Sequence, residues 1–197
     1  MRSLLLLSVL AILLSSCGGS GTSSSGASID LSGYETEKLS GSDVTRAFKK
    51  DATGDIIEEG YVVNGKKNGV WMTFWQNEMA GRIRTLASYT DGMLNGPYLE
   101  YSNRSQIEKQ IYYSNNQYDG NFVTYKFGRK EKDISYKDNK LNGASIEYNS
   151  KGDKQKEVHY RNGELHGAWR TFNEEGELTL EYEYKNGKKV SGGIIEK

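Results

Sequence analysis

The sequence predicts an all-β protein, an elongated antiparallel meander of stacked β-hairpin repeats that form a single-layered, twisted sheet. Two observations predict it. A motif of about two dozen residues recurs five times along the chain, and each copy places turn-forming dipeptides between segments in which apolar and polar residues alternate. A fixed short period means that one small unit is stacked on itself, so most of the chain is scaffold.

Each copy of the motif ends in a glycine, with aromatic residues at fixed places around it. The motif glycines are Gly69, Gly96, Gly120, Gly143 and Gly167, spaced by 27, 24, 23 and 24 residues. The positions two and five places after each glycine are aromatic in nine of ten cases, Ser145 being the exception, and a valine or tyrosine stands seven places before it. An alternation with a period of two predicts strands on both sides of the glycine.

Two kinds of turn separate these strands. Asn-Gly and Asp-Gly pairs favour two-residue type I′ hairpins, because both central residues need positive φ, and Asn-Asn or Asp-Asn pairs are weaker versions. The predicted two-residue turns are Asn64-Gly65, Asp91-Gly92, Asn115-Asn116, Asp138-Asn139, Asn162-Gly163 and Asn186-Gly187. The opposite end of each unit is predicted to carry a longer loop, such as 149–152 or 173–176. Turns therefore recur roughly every 12 residues, the spacing of short antiparallel strands.

The repeats are expected to form one domain over residues 34–197, with about five full repeats and degenerate units at its ends. Residues 44–59 resemble an imperfect leading copy of the motif, and residues 182–195 a truncated last one. Atypical end units are expected where a stack of repeats stops and faces water.

The first 33 residues predict export and lipid anchoring. A short apolar run, Leu4 to Leu14, follows Arg2 and is too short to span a bilayer as a helix, so the pattern is that of a secretory signal. Leu14-Ser-Ser-Cys17 resembles the bacterial lipobox, in which cleavage occurs before a cysteine that then carries lipid. We therefore expect a signal peptide over 1–16 and, over 17–33, a lipidated Cys17 with a flexible Gly/Ser tether. An ordinary signal with a chance cysteine is the alternative.

Charge and cysteine content limit the classes of partner that the chain can bind. The chain has 26 Lys and Arg residues against 26 Asp and Glu residues, so it lacks the basic excess of a nucleic-acid binder or of a polybasic membrane patch. Membrane attachment is then assigned to the lipid on Cys17, the sole cysteine. We expect no other cofactor and a location in the bacterial cell envelope at the outer membrane, with the periplasmic and surface sides both open.

Segments such as Lys66 to Phe74 and Asn162 to Gly176 resemble the MORN repeat, more specifically its bacterial variant, over about residues 56–190. This resemblance implies an elongated antiparallel sheet used for protein or membrane contacts, and it supplies no catalytic residues. Relatives of this kind include exported lipoproteins and proteins labelled as antitoxins of toxin-antitoxin systems. The resemblance thus adds an antitoxin-like protein that neutralises a partner as a lower alternative.

The sequence predicts no catalytic site, and therefore a protein that is not an enzyme. Its only histidines are His159 and His166, and no nucleophile motif accompanies them. If Asn162-Gly163 forms a two-residue turn, His159 lies directly across from His166, and the pair could share a zinc or copper ion with Glu164 as third ligand. The alternative is an exposed pair without a metal, since no ligand set recurs in the other repeats.

A row of rings, Trp71, Tyr98, Phe122 and Trp169, is the candidate binding surface. These rings either pack between adjacent hairpins, which is the usual role of cross-strand aromatics, or grip a ligand. Two function classes follow: a non-enzymatic scaffold lipoprotein that binds a protein partner, and a glycan- or peptidoglycan-binding module. A third, lower option is a closed sheet that carries a lipid, which would require the terminal strands to pair.

Overall fold

The computed structural model describes residues 26–195, which form 14 antiparallel strands in one open sheet and confirm the predicted all-β meander of hairpins. The strands follow one another across the sheet in chain order. They are β1 (Glu35–Lys38), β2 (Val44–Lys50), β3 (Ile56–Val63), β4 (Lys66–Phe74), β5 (Ile83–Thr90), β6 (Met93–Tyr101), β7 (Ile107–Ser114), β8 (Gln117–Lys126), β9 (Arg129–Lys137), β10 (Lys140–Tyr148), β11 (Lys154–Arg161), β12 (Glu164–Phe172), β13 (Leu178–Lys185) and β14 (Lys188–Ile194). Since β1 and β14 lie at opposite ends, the sheet does not close.

The signal peptide predicted over 1–16, Cys17 and the first part of the tether lie outside the described residues. Within residues 26–195 the only helical element is a single 3₁₀ turn at Asn77–Met79. No helix in this part of the chain is long and apolar enough to cross a membrane.

All six predicted two-residue turns are present, and both central residues of each have positive φ, between 49° and 89°. These turns form a row, here called the turn row, along one edge of the sheet, meaning the side where strand ends meet; the opposite side is the long-loop edge. From β5–β6 onward, the second residue of each turn donates its N–H to a carbonyl of the preceding hairpin, as Gly163 does to Leu141 at 2.8 Å. Where that residue is asparagine, its side-chain oxygen also accepts a backbone N–H, as Asn116 Oδ1 does from Leu94. The turn row is therefore hydrogen-bonded from hairpin to hairpin.

Four of the longer loops at the other edge share a side-chain cap; the loop between β4 and β5 does not. In each of the four, the first residue accepts the N–H groups two and four places later, as Asn149 Oδ1 does from Lys151 and Asp153, both at 2.9 Å. Such a bond imitates a backbone turn, which is why Asn, Asp and Ser favour these places. The capping residues are Asp51, Ser102, Asn149 and Asn173.

The connection from β8 to β9 departs from this pattern. A longer loop is predicted at this edge, but β8 and β9 are joined by a two-residue turn, Phe127-Gly128, with φ of 51° and 76°. No Asn-Gly or Asp-Gly pair marks the position, so the sequence gives no signal for it.

The motif glycines lie at irregularities in the ladder. From Gly96 to Gly167 they have φ between 100° and 120°, and each lies across from the tyrosine that begins the motif of the next hairpin, as Gly120 does from Tyr136. A Cβ atom at Gly120 would lie 2.9 Å from Cβ of Tyr112. Glycine is thus required here by both the backbone and the neighbouring strand.

Residues 26–34, here called the strap, lie on the sheet. Ile29 donates its N–H to Gly65 O at 2.9 Å, and Gly26 donates to Asp91 O at the same distance. Ile29, Leu31 and Tyr34 pack against the buried cluster of Ala47, Val62 and Trp71. Residues 26–33, the last part of the predicted tether, therefore lie against the sheet, because apolar residues begin at Ile29 and pack partly buried on the hairpins.

Candidate functional site

The four predicted rings lie on one face of the sheet, here called the aromatic face, in a single row across the strands. The row runs Trp71, Ala87, Tyr98, Ile111, Phe122, Ile134, Ser145, Val158, Trp169 and Tyr182. Its smaller members Ala87, Ile111 and Val158 are buried, and the rings of Tyr98, Phe122 and Trp169 are half-buried. The row is therefore partly a packing ladder and partly an accessible surface.

Trp71 lies beneath the strap. Its side chain is 3% exposed, its ring packs edge-on against Tyr34 at a centroid distance of 6.2 Å, and its Nε1 donates to Tyr61 O at 3.0 Å. Nζ of Lys67 lies over the ring, 4.0 Å from its centroid. Trp71 thus contributes to the core in this conformation, and a ligand cannot reach it without displacing the strap.

Glu58 ties the strap to the sheet. It accepts a hydrogen bond from Tyr34 Oη at 2.7 Å and pairs with Lys67 Nζ at 3.0 Å. Burial and this carboxylate raise the pKa of Tyr34 above its usual value, so the phenol remains a donor over the ordinary pH range.

Beyond the strap the aromatic face carries a central cluster of five half-buried rings: Tyr98, Tyr113, Tyr118, Phe122 and Tyr136. Neighbouring rings have centroids 5.1 to 6.3 Å apart and are tilted or edge-on to one another. Such pairs stabilise a sheet beyond the area that they bury. Burial raises the pKa of Tyr98 to about 12 and raises the pKa of Tyr113 and Tyr136. This cluster is the largest set of adjoining rings in the part of the chain that the structure describes.

A second cluster lies near the C-terminal end of the sheet. Trp169, Tyr182 and Tyr184 have centroids 5.4 to 6.5 Å apart, and Nζ of Lys189 lies 3.4 Å from the Tyr182 centroid. The repeat between the two clusters has Ser145 in the row where the other repeats have a ring. The aromatic face is therefore interrupted, and the four predicted rings are divided among the strap, the central cluster and this second cluster.

A cleft of about 620 Å³ opens near the central cluster, toward the long-loop edge. Its lining combines rings, hydroxyls and charges: Trp75, Tyr98, Thr73, Thr85, Arg84, Glu58 and Glu100 are among the residues. The two threonine hydroxyls are hydrogen-bonded at 2.6 Å, Glu100 pairs with Lys109 at 2.8 Å, and Arg84 lies over Trp75 at 5.2 Å. Trp75 Nε1 is buried without a hydrogen-bond partner among residues 26–195. Sequence analysis did not identify this cleft, since its residues come from six strands, β2 to β7, and from the loop after β4.

The two histidines have different hydrogen-bond partners. His159 Nε2 lies 2.8 Å from Glu157 Oε1, while His166 Nδ1 accepts the N–H of Asn186 in the next turn at 3.5 Å. Hydrogen bonds from Lys154 and His159 hold the pKa of Glu157 below its usual value against the effect of burial. No group of three potential metal ligands is found among the described residues, so the predicted pair has no assembled third ligand.

Comparison with known proteins identifies no family. No family model and no curated protein matches the chain. Among solved structures, a mutant of S. aureus TarM in complex with fondaparinux, alpha-GlcNAc-glycerol and UDP is 13% identical, over 82% of this chain and 22% of that chain, with a TM-score of 0.28. The chain thus spans about a fifth of the length of that protein, and so low a TM-score carries no argument about function.

Proposed function

We propose that the chain is a non-enzymatic binding module of the bacterial envelope, of the bacterial MORN-variant type, anchored by a lipid on Cys17. It holds a partner protein along its aromatic face. The supporting observation is the strap itself. An extended segment lies on this face, places Ile29, Leu31 and Tyr34 against the sheet, and hydrogen-bonds to carbonyls of the turn row.

Apolar and aromatic surface beside the turn row continues beyond the strap. The central cluster offers half-buried rings, and the turn row passes beside it at Asn115-Asn116 and Asp138-Asn139. A partner segment with apolar and aromatic residues would bury these rings as the strap buries Trp71. Partial exposure of five adjoining rings is the kind of surface that protein interfaces use.

Site-specific photo-crosslinking in native envelopes tests this proposal. A photoreactive phenylalanine derivative at Tyr118, on the aromatic face, should give a discrete crosslinked species. The matched control carries the photoreactive derivative at Tyr112, which is 39% exposed on the opposite face. Equal crosslinking from both positions, or none from Tyr118, would remove the support for binding on the aromatic face.

Lipid anchoring is tested separately. Metabolic labelling with an alkyne fatty acid should mark the wild-type chain and leave Cys17→Ser unmarked, because Cys17 is the only thiol that the lipid could modify. The wild type should also fractionate with membranes. Labelling that persists in Cys17→Ser would contradict the anchor while leaving the binding face untouched.

A second candidate, glycan binding, is favoured by the cleft beside the central cluster. A ring, paired hydroxyls and carboxylates in one cleft are groups that bind sugars. In this case peptidoglycan fragments should bind in the cleft, and Thr85→Val should weaken their binding about tenfold by removing one hydroxyl. Isothermal titration with soluble muropeptides measures this, and unchanged affinity in Thr85→Val would argue against the cleft as the sugar site.

A further inference from the structure

The Phe127-Gly128 turn joins β8 to β9 in a conformation that phenylalanine disfavours. Phe127 has φ of 51°, the left-handed region, where bulky side chains are uncommon. The corresponding residue is asparagine or aspartate in each of the six other two-residue turns between residues 26 and 195. This conformation is unfavourable for an ordinary L-residue and readily adopted by asparagine, so an Asn-Gly turn would be more stable here.

Phe127 does not recover this cost by packing. Its side chain is 86% exposed, the most exposed of the large hydrophobic residues in the described part of the chain. Strained backbone that the fold does not need is a reason to look for a function at that residue. A single rigid ring at the tip of a hairpin is also suited to anchor an interface.

Two clefts flank the ring. The larger, about 550 Å³, lies on the β10 side and includes Tyr148, and the smaller, about 350 Å³, lies on the β6–β7 side and includes Tyr125. Phe127 and Lys126 belong to both. A segment that crosses this edge could therefore enclose the ring from both sides.

The charge around the ring is mainly positive. The two clefts are lined by four cations, Arg104, Lys126, Arg129 and Lys130, and by two carboxylates, Glu108 and Glu131. Lys130 is paired with Asp133 at 2.6 Å, and Arg129 donates to Ser150 O at the same distance. Among the described residues, Lys126 and Arg104 have no ion-pair partner, so they remain available for an acidic ligand.

We propose that the Phe127 turn and its two clefts form a docking site for an acidic peptide segment of a partner protein, with an apolar residue of that segment against Phe127 and carboxylates on Lys126 and Arg104. This site deepens the proposed function and rests on it, since it names a second contact on the long-loop edge for a protein partner. The clefts favour a polypeptide over a lipid surface, because side chains can fill them on both sides of the ring. The strap joins the sheet at the opposite edge, about 30 Å away along the strands.

Selection of phage-displayed peptides of about a dozen residues on the purified full-length chain tests the proposal. The enriched peptides should combine several Asp or Glu residues with an aromatic or aliphatic residue. Phe127→Asn should weaken their binding at least tenfold, and Lys126→Glu should do the same, whereas Tyr61→Asn, a 42% exposed aromatic away from the site, should not. Phe127→Asn should also melt at an unchanged or higher temperature, which separates lost binding from lost folding.

The contrary outcomes are distinct. Enrichment of neutral or basic peptides, no enrichment at all, or equal binding to Phe127→Asn would each overturn the docking site. Sedimentation of the chain with phosphatidylglycerol vesicles that depends on Phe127, without peptide binding, would assign the turn to a lipid surface instead. Peptides that tolerate Phe127→Asn but are lost with Tyr118→Ser would overturn this site and support the aromatic face. Peptides that bind equally well to Phe127→Asn and to Tyr118→Ser would count against both the docking site and the aromatic face.

Discussion

At the scale of single residues, the position of Trp71 under the strap distinguishes it from the other three rings of its row. Sequence alone places the four in equivalent positions, since the motif repeats around each of them. The difference comes from residues 29–34, which lie outside the repeat and cover only the first hairpins. Position within a repeat therefore predicts the face on which a side chain lies, and burial depends on what else reaches that face.

Trp71→Ala should lower the free energy of unfolding by about 3–5 kcal/mol, because it removes a ring that is 3% exposed and leaves a cavity beneath the strap. Urea denaturation measures this loss. The control is Tyr61→Ala, whose 42% exposed side chain should contribute about 1 kcal/mol or less. Equal effects of the two substitutions would show that the strap does not cover Trp71 in solution.

The tyrosines of the central cluster should make stability depend on alkaline pH. Burial raises the pKa of Tyr98 from 10.0 to about 12, so the folded chain holds its proton more tightly than the unfolded chain. This contribution is fully present below pH 10 and is lost as pH rises from 10 to 12. Across this pH window, the free energy of unfolding should fall less steeply for Tyr98→Phe than for the wild type. An equally steep fall would mean that the phenol is not protected in the fold.

At the scale of elements, the strands and the six Asn- or Asp-led turns could be predicted because their signals are local. Residues such as Asn64-Gly65 specify a turn by their own φ preferences, and alternation specifies the strands. The Phe127-Gly128 turn has no such signal, and the β8–β9 connection was predicted as a loop. The caps of the longer loops, such as Asn149, were also missed, although Asn, Asp or Ser at the first loop position is a local signal that could have identified them.

The motif glycines can be tested by a matched pair of substitutions. Gly120→Ala should cost roughly 1–3 kcal/mol more than Gly176→Ala. Both glycines have positive φ, but a Cβ at Gly120 would lie 2.9 Å from Cβ of Tyr112, while one at Gly176 would meet nothing within 4 Å. Urea midpoints of the two variants give the difference. If the two are equally stable, the requirement at Gly120 is one of backbone conformation alone.

At the scale of the whole molecule, chain order and sheet order coincide, so each hairpin contacts only its neighbours in sequence. The period in the sequence therefore predicts the topology directly, and that part of the fold needed no tertiary information. The candidate sites are different. The cleft beside Tyr98 and the two clefts beside Phe127 draw side chains from several strands and loops, and the strap adds a contact that the period does not contain.

This modular order predicts that one repeat can be removed without loss of the fold. Deletion of the 23 residues 120–142 joins Asp119 to Gly143, which replaces one motif glycine with the next and keeps the two-residue turn at Asn115-Asn116. The sheet should lose two strands and shorten by about 10 Å, at a spacing of about 4.8 Å per strand. Stability should fall because one interface between repeats is lost, but the transition should remain cooperative.

Small-angle scattering of the deleted and full-length chains measures the length, and circular dichroism measures the strand content. An unfolded product would contradict nearest-neighbour stacking, because it would show that distant hairpins depend on one another. The deletion also removes Phe127 and two of the five rings of the central cluster, Phe122 and Tyr136, so a partner that still binds the shortened chain with full affinity depends on none of these three residues.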